Sequence, residues 1–134
     1  KITTIERSPE MYDLALKNIS SLNLENQIEV IFEDALNVEL KDKYDLIFID
    51  AAKAQYIKFF EKFKRNLKEN GVIVSDNLNF HGLVHSKEPI ESRNVRGLVR
   101  KLNDYIVFLK ENKEFETTFF ELGDGISISK KVKK

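Results

Sequence analysis

The sequence contains no cysteine, no excess of either charge, and no apolar run near the roughly 20 residues needed to cross a bilayer. The absence of cysteine excludes disulfides and thiolate metal sites, and it is typical of proteins from a reducing compartment. No secretory signal peptide is recognisable. From these absences we expect a cytoplasmic protein with no membrane association.

Charge favours no partner as a total, because 22 basic residues balance 22 acidic ones. Its distribution is uneven, with basic residues in the C-terminal KKVKK and in the segment Arg93–Lys101. Such clusters bind nucleic-acid phosphates, or they form a solvated helix face and a disordered tail. Both interpretations stay open, and Arg93 is the stronger candidate for a nucleic-acid contact.

Length and composition predict one α/β domain: the chain has 134 residues, of which 42% are hydrophobic and 33% charged. The chain begins at Lys1, without a methionine, inside a segment that already has the character of a strand. We therefore expect a protein that is truncated at its N-terminus.

Hydrophobic periodicity and capping residues predict alternating strands and helices. The predicted strands are Lys1–Glu6, Gln27–Phe32, Tyr44–Asp50 and Gly71–Asp76, followed by a hairpin of Phe115–Leu122 and Gly125–Lys130. The predicted helices run from Ser8 to about Leu22, from Ala54 to about Lys68 with closure at Asn70-Gly71, and from Ser92 to Asn112. This order predicts a mostly parallel, doubly wound sheet to which the hairpin adds an antiparallel edge.

Four acids follow these strands at their carboxyl ends: Glu6, Asp34, Asp50 and Asp76. Ligands of open α/β sheets bind beyond the carboxyl ends of the strands. Each acid alone is as readily explained by a helix cap or a solvated turn. Four carboxylates at one edge repel each other unless a ligand or a cation lies among them, so the set indicates a binding site.

Two of these positions have the character of a nucleotide site. Glu6 ends the first strand, where nucleotide-binding folds often place an acid against ribose hydroxyls. Asp34 precedes Ala35, whose small side chain leaves room for a flat adenine ring. The alternatives are a solvated Glu6 before the Ser8 cap and an ordinary turn at Asp34-Ala35.

Asp50, Asp76 and Asn77 have the character of a metal site, because carboxylate and amide oxygens suit Mg²⁺, Ca²⁺ or Mn²⁺. The alternative is a pair of turn residues and a cap. Lys53 follows Asp50 closely and could act as a base if a cation and burial lowered its pKa, although a solvated lysine is the simpler interpretation. His81 and His85 lack an HExxH pattern, so we interpret them as loop residues and not zinc ligands.

The motifs TTIE–SPEM, EDA, DLIFIDAAKAQY, GVIVSDN and GDGISISKK resemble those of S-adenosylmethionine (SAM)-dependent O-methyltransferases of the catechol and caffeoyl-CoA type, almost from end to end. Within that class, IDAAKAQY, the DN before HGLV, the arginine-rich helix and GDG–ISKK resemble bacterial enzymes that methylate 5-hydroxyuridine in tRNA. Relatives of these enzymes methylate catechols and caffeoyl-type phenols, so a small phenolic substrate is the alternative.

The resemblance implies a Rossmann-like methyltransferase fold and a role for each matching residue. Glu6 would bind the cofactor ribose, Asp34 and Ala35 the adenine, and Asp50 would border both SAM and the metal. Asp50, Asp76 and Asn77 would hold Mg²⁺ or another divalent ion. Lys53 would be the catalytic base of metal-assisted methyl transfer, and a homodimer is expected.

The resemblance also implies that the chain, residues 1–134, is the C-terminal portion of a single methyltransferase domain. The first strand and the glycine-rich loop that hold the methionine part of SAM have no counterpart in it, and that strand would lie between KITTIE and YDLIFID. We therefore expect the isolated chain to bind SAM weakly or not at all, and an inactive fragment that self-associates is a third interpretation.

Overall fold

The structure, a computed structural model, describes residues 1–50, 52–79, 82, 89–90 and 92–133, with the backbone alone at Lys53. The chain divides into two compact units, Lys1–Leu40 and Lys41–Lys134, and each is described by itself below. Among the described helices, none has the length and the apolar character needed to cross a membrane. The single domain expected from the sequence stays a prediction.

The first unit contains strand β1 (Ile2–Glu6), helix α1 (Pro9–Ser21) and strand β2 (Ile28–Phe32). The start of α1 is as predicted: Ser8 is the N-cap, its hydroxyl accepts a hydrogen bond from the Met11 amide at 3.4 Å, and proline follows it. The two strands pair in parallel, with Glu6 opposite Phe32. Glu6 therefore lies at the same end of this small sheet as the residues that follow β2.

The second unit is built on four strands: β3 (Tyr44–Ile49), β4 (Leu67–Ser75), β5 (Phe115–Phe120) and β6 (Ile126–Lys131). Their order is β3-β4-β6-β5; β3 and β4 are parallel, whereas β6 is antiparallel to both of its neighbours. Helices α2 (Tyr56–Phe63) and α3 (Arg93–Glu111) connect the strands, with 3-10 turns at Lys53–Gln55 and Lys64–Asn66. The predicted mixture of parallel strands and an antiparallel hairpin is confirmed.

Two adjoining predicted boundaries are wrong, namely the end of the helix after Tyr56 and the start of the next strand, which begins at Leu67 and not at Gly71. The helix after Tyr56 ends at Phe63 and not near Lys68, and Asn70-Gly71 lies within β4 instead of closing that helix. The pairing of β3 with β4 shifts register here, so that Tyr44 is opposite Leu67 while Leu46 is opposite Val72. The polar residues that resembled a helix end are the extra residues of this irregularity.

Helices α2 and α3 cover one side of the four-stranded sheet with an aromatic core. Phe60 is fully buried and meets the rings of Tyr105, Phe108 and Phe115 edge-on, with centroids 6.3, 5.4 and 5.0 Å away. The buried residues of the sheet include Ile73 and three small polar residues, namely Ser75, Ser127 and Ser129. Small side chains on the strands thus leave room for large ones on the helices.

The opposite face of β3 is open. Leu46 and Phe48 are each 55% exposed, whereas Ile49 on the covered face is buried. Within the described ranges, β3 is hydrogen-bonded to β4 on one side and to no strand on the other. A strand that is apolar on both faces is typical of the interior of a parallel sheet, so β3 has the composition of a central strand and the pairing of an edge strand.

Candidate active site

The parallel pairing of β3 and β4 places Asp50 and Asp76 beside each other. Ile49 is opposite Ser75, and the next residue of each strand is an aspartate. The ladder continues one step further, because the Asp76 amide donates to the Ile49 carbonyl at 3.1 Å. Both carboxylates therefore leave the sheet at its carboxyl end, where ligands of α/β proteins bind.

Asn77 joins the two aspartates. Its side-chain Nδ2 donates to Asp50 Oδ1 at 2.6 Å, and its backbone amide donates to Asp76 Oδ1 at 2.7 Å. Asn77 adopts a left-handed conformation with φ of 61°, which asparagine tolerates better than most residues. The structure thus brings together the three residues that the sequence pattern indicates as metal ligands.

The chemistry of this group fits a hard divalent cation. Two carboxylates and an amide carry oxygens of the kind that Mg²⁺ and Mn²⁺ prefer, and rotation of the Asn77 amide by half a turn would exchange its nitrogen for its oxygen without moving the backbone. In the part of the chain that the structure describes, no group of three or more His, Cys, Asp or Glu side chains could hold a metal. A cation here would therefore depend on Asn77 and on water or substrate oxygens, as Mg²⁺ commonly does.

Two buried tyrosines support this end of the sheet, and neither is predicted from the sequence. The Tyr56 hydroxyl donates to the Asp76 carbonyl at 2.9 Å, and the Tyr105 hydroxyl lies 2.6 Å from Ser75 Oγ. Burial raises the pKa of Tyr105 above its usual value near 10, an effect that the bond to Ser75 opposes in part. One feature of the sequence could have indicated these contacts: a tyrosine within the apolar stripe of a helix is buried, and its hydroxyl then needs a hydrogen-bond partner.

The proposed base and the two histidines are described only in part or not at all. Lys53 begins the 3-10 turn that follows Asp50, which keeps its backbone near the carboxyl end of β3, while its side chain lies outside the described part of the chain. His81 and His85 also lie outside the described residues. The roles assigned to these three residues stay predictions.

In the first unit, the Glu6 carboxylate is oriented by the backbone. Its Oε1 accepts a hydrogen bond from the Ser8 amide at 3.0 Å, and the residue is half-buried. The second oxygen of the same carboxylate, Oε2, could accept from a vicinal diol such as a ribose. The geometry is compatible with both interpretations of Glu6.

Asp34 has a local structural role. Its Oδ1 accepts from the Leu36 amide at 2.9 Å, and its carbonyl accepts from Asn37 and Val38, so the residue organises a tight turn that contains the half-buried Ala35. Arg7 lies 3.7 Å from Oδ2 in an exposed ion pair. The turn expected as the alternative at Asp34 is thus present, and an adenine contact would be additional to it.

The N-terminal half of α3 carries an arginine stripe. We use this name for Arg93, Arg96 and Arg100, which recur at helical spacing on a 19-residue helix whose first turn has no acid. Arg96 donates to the Ile90 carbonyl at 2.8 Å and, with Arg100, lines an open groove of about 340 Å³. Within the described ranges, Arg93 and Arg100 make no ion pair.

Comparison with known proteins places these observations in a family context. The model of a family described as O-methyltransferase matches residues 1–132. A caffeoyl-CoA O-methyltransferase from Stellaria longipes is 28% identical over 143 residues, which cover 98% of this chain and 58% of that protein. The chain thus spans less than two thirds of the length of this curated relative.

Solved structures give the same picture of the fold. A Staphylococcus aureus protein, provisionally described as a caffeoyl-CoA O-methyltransferase, is 42% identical with a TM-score of 0.90, over 97% of this chain and 64% of that one. A methyltransferase from Podospora anserina, whose crystal structure contains S-adenosylhomocysteine (SAH), is 24% identical with a TM-score of 0.89, over 99% of this chain and 61% of that one. The second likeness concerns the fold alone.

Proposed function

The chain belongs to the O-methyltransferase family, and from that premise we propose that it carries the metal half of a SAM-dependent, divalent-metal-assisted O-methyltransferase. The observation that carries the proposal is the linked group of Asp50, Asp76 and Asn77 at the carboxyl ends of β3 and β4. Their oxygens would hold Mg²⁺ or a similar ion. When bound, such an ion lowers the pKa of an acceptor hydroxyl and orients its oxygen.

The residues of the chain would act mainly by binding and orientation. Glu6 would accept hydrogen bonds from the ribose of SAM, and Asp34 with Ala35 would border its adenine. The acceptor oxygen would bond to the methyl carbon of SAM, which the positive sulfur activates, as the carbon–sulfur bond breaks and SAH leaves. Lys53 is the residue we propose to take the proton of the acceptor hydroxyl.

For the acceptor we propose 5-hydroxyuridine in tRNA: the arginine stripe supports a nucleic-acid substrate, and the sequence resemblance supports this nucleoside. Positive side chains in the first turn of a helix oppose the helix dipole, so Arg93 and Arg96 lie where the helix itself favours an anion. A phosphate backbone would relieve that repulsion, and its binding would release counterions. We propose that the enzyme is a cytoplasmic homodimer involved in tRNA processing.

A small phenolic acceptor is the second candidate, favoured by the names of the relatives, two of which refer to caffeoyl-CoA. Both acceptors present a hydroxyl next to a second oxygen, which is the arrangement that a divalent ion can bind in a chelate. A caffeoyl-type phenol without CoA lacks the phosphates of tRNA, so its methylation should depend less on the arginine stripe of α3.

The test is a methylation assay of the intact protein with tRNA that carries unmethylated 5-hydroxyuridine and with a caffeoyl-type phenol, each with Mg²⁺ or with EDTA. We expect EDTA and Asp76→Ala each to lower kcat/KM by at least about 100-fold, because several kcal/mol of charge stabilisation are at stake and each 1.4 kcal/mol is a tenfold change. Activity that survives both treatments would refute the metal-assisted mechanism.

The same assay identifies the acceptor. For tRNA, the double variant Arg93→Gln, Arg100→Gln should lower kcat/KM and reduce the salt dependence by about one unit of slope for each phosphate that the variant no longer binds. Lys113→Gln, which neutralises an exposed lysine beyond the end of α3, is the matched control. Rapid turnover of the phenol, with no effect of the arginine changes, would select the small-molecule alternative.

A further inference from the structure

The segment that follows β4 turns sharply at the candidate site. Asp76 is the last residue in register with β3, and Asn77 then adopts its left-handed conformation with φ of 61°. Asparagine adopts this conformation more readily than other residues that carry a side chain, and at Asn77 the neighbouring contacts hold it there. These contacts therefore also set the directions of the Asp76 and Asn77 side chains.

On one side the turn is held by Tyr56. This tyrosine is 1% exposed, its ring meets Tyr105 edge-on at 5.3 Å, and its hydroxyl donates to the Asp76 carbonyl. The Asp76 amide is held by the Ile49 carbonyl. Both backbone groups that flank the Asp76 side chain are thus fixed by buried or sheet-bound partners.

On the other side the turn is held by the loop between β5 and β6. The Gly125 carbonyl accepts from the Leu78 amide at 3.2 Å, and the Asp124 carbonyl accepts from the Asn79 amide at 2.8 Å. Gly125 has φ of 87°, and a Cβ placed on it would lie 2.7 Å from the Asn79 side chain. The positive φ favours glycine there, and a larger residue would also force the Asn79 side chain to shift.

We propose that the Tyr56 hydroxyl and the carbonyls of Asp124 and Gly125 form a clamp whose function is to position Asp76 and Asn77 as oxygen donors for a divalent ion. This inference rests on the proposed function, because it assigns the ion to the same residues. The hydrogen bonds that Asn77 makes to Asp50 and Asp76 hold the three residues together, and the bond from Nδ2 to Asp50 would be given up when the amide rotates to present its oxygen to an ion. Supporting groups of this kind typically change metal affinity by about 10- to 100-fold when they are removed.

The first experiment compares two buried tyrosines in the intact protein. Tyr56→Phe keeps the ring and removes the bond to the Asp76 backbone, so we expect Mn²⁺ affinity, measured by electron paramagnetic resonance at a temperature well below unfolding, to fall about 10-fold. Tyr105→Phe removes a bond to the Ser75 side chain instead, and it should leave Mn²⁺ affinity unchanged. Equal Mn²⁺ affinity in wild type and Tyr56→Phe would overturn the proposal.

The second experiment compares two glycines of the same loop. Gly125→Ala introduces both strain and the collision with Asn79, and it should weaken Mn²⁺ binding. Gly123 also has positive φ, 55°, but nothing lies within 4 Å of the position that a Cβ would take there, so Gly123→Ala adds strain without that collision and should retain Mn²⁺ affinity. Loss of Mn²⁺ binding in both variants would make the effect a general destabilisation and contradict the clamp.

Amide exchange separates the clamp from the metal role. Without any metal, Tyr56→Phe should speed exchange at Leu78 and Asn79 about 10-fold, while core amides of α3 exchange as in wild type. If wild-type protein binds no Mn²⁺, the metal part of the proposed function fails, and unchanged exchange at these two amides would independently refute the clamp.

Discussion

At the residue scale, Tyr105 shows how a single buried hydroxyl links the helices to the sheet. It is fully buried, and its hydroxyl forms a hydrogen bond with the equally buried Ser75. Because burial disfavours the phenolate, the pKa of Tyr105 is higher in the folded protein than in the unfolded chain. The free energy of unfolding must therefore depend on pH in the alkaline range.

The sign of that dependence follows from proton binding. Above about pH 10, where the unfolded phenol ionises, the folded protein still holds its proton, so the free energy of unfolding falls as pH rises, by up to about 1.4 kcal/mol per pH unit. We expect Tyr105→Phe to cost about 1–3 kcal/mol near neutral pH, because Ser75 loses its partner, and to have a flatter alkaline profile in urea titrations between about pH 9 and 11.

Ser75→Ala is the control for this prediction. It removes the same hydrogen bond but keeps the phenol of Tyr105. The free energy of unfolding of this variant should therefore be lower than that of wild type near neutral pH, and it should still fall as the pH rises above about 10. If the free energy of unfolding of Tyr105→Phe fell with alkaline pH as steeply as that of wild type, Tyr105 would not be the group responsible for the pH dependence.

The acids of the candidate site could be predicted from the sequence, whereas the tyrosines that contact this end of the sheet could not. Asp50 and Asp76 are recognisable because each follows an apolar strand, and a carboxylate after such a strand calls for an explanation. Tyr56 and Tyr105 act through hydroxyls whose partners, Asp76 and Ser75, are 20 and 30 residues away in the chain. Spacing along a single sequence gives no measure of such contacts.

At the element scale, β4 shows where local patterns mislead. Asn70-Gly71 has the composition of a helix end, yet Gly71 is buried in a strand. A Cβ on Gly71 would lie 2.7 Å from the Leu67 side chain and 2.8 Å from the Asp45 carbonyl of β3. The glycine is there because two backbones approach closely, which is a tertiary requirement that a local pattern does not contain.

Two glycine-to-alanine changes test this explanation. Gly71→Ala should destabilise the protein by about 1–3 kcal/mol, since the Asp45 carbonyl cannot move without disturbing β3. Gly97→Ala, in the interior of α3 with nothing within 4 Å, should stabilise it by up to about 1 kcal/mol. Urea denaturation measures both, and equal effects of the two changes would refute the close approach at Gly71.

Elements with strong local signals were predicted well. Ser8 and Ser92 both act as N-caps, accepting from the amides of Met11 and Val95, and the hairpin of β5 and β6 turns through glycines with positive φ. These features depend on residues within a few positions of one another. The boundaries that failed depend on contacts between strands.

At the scale of the whole molecule, the exposed side of β3 is an apolar surface open to solvent. Leu46 and Phe48 project from a strand whose second edge has no partner among the described residues. Exposed apolar edges of this kind favour pairing with another chain. The sequence resemblance implies that a further strand pairs with this edge in family members.

We expect the isolated 134-residue chain to self-associate through this surface and to bind SAM weakly or not at all. Phe48→Lys should reduce its average mass in sedimentation equilibrium, because a charge on an edge strand opposes pairing. In a longer chain that supplies the strand implied by the resemblance, the same change should be destabilising, because β3 would then be an interior strand.

Val107→Lys is the matched control, because Val107 is comparably exposed, at 50%, on α3. It should change neither the mass of the isolated chain nor the stability of the longer chain. A monomeric isolated chain, or micromolar SAM affinity in isothermal titration, would contradict the expectation.

The loop at Gly123–Gly125 has a consequence for biosynthesis. Its carbonyls complete the turn at the candidate site, yet it is translated after every proposed ligand of that site. A nascent chain, or one shortened by a premature stop codon before this loop, therefore carries Asp50, Asp76 and Asn77 without the frame that holds them. Cotranslational maturation of this site would wait for the C-terminal hairpin.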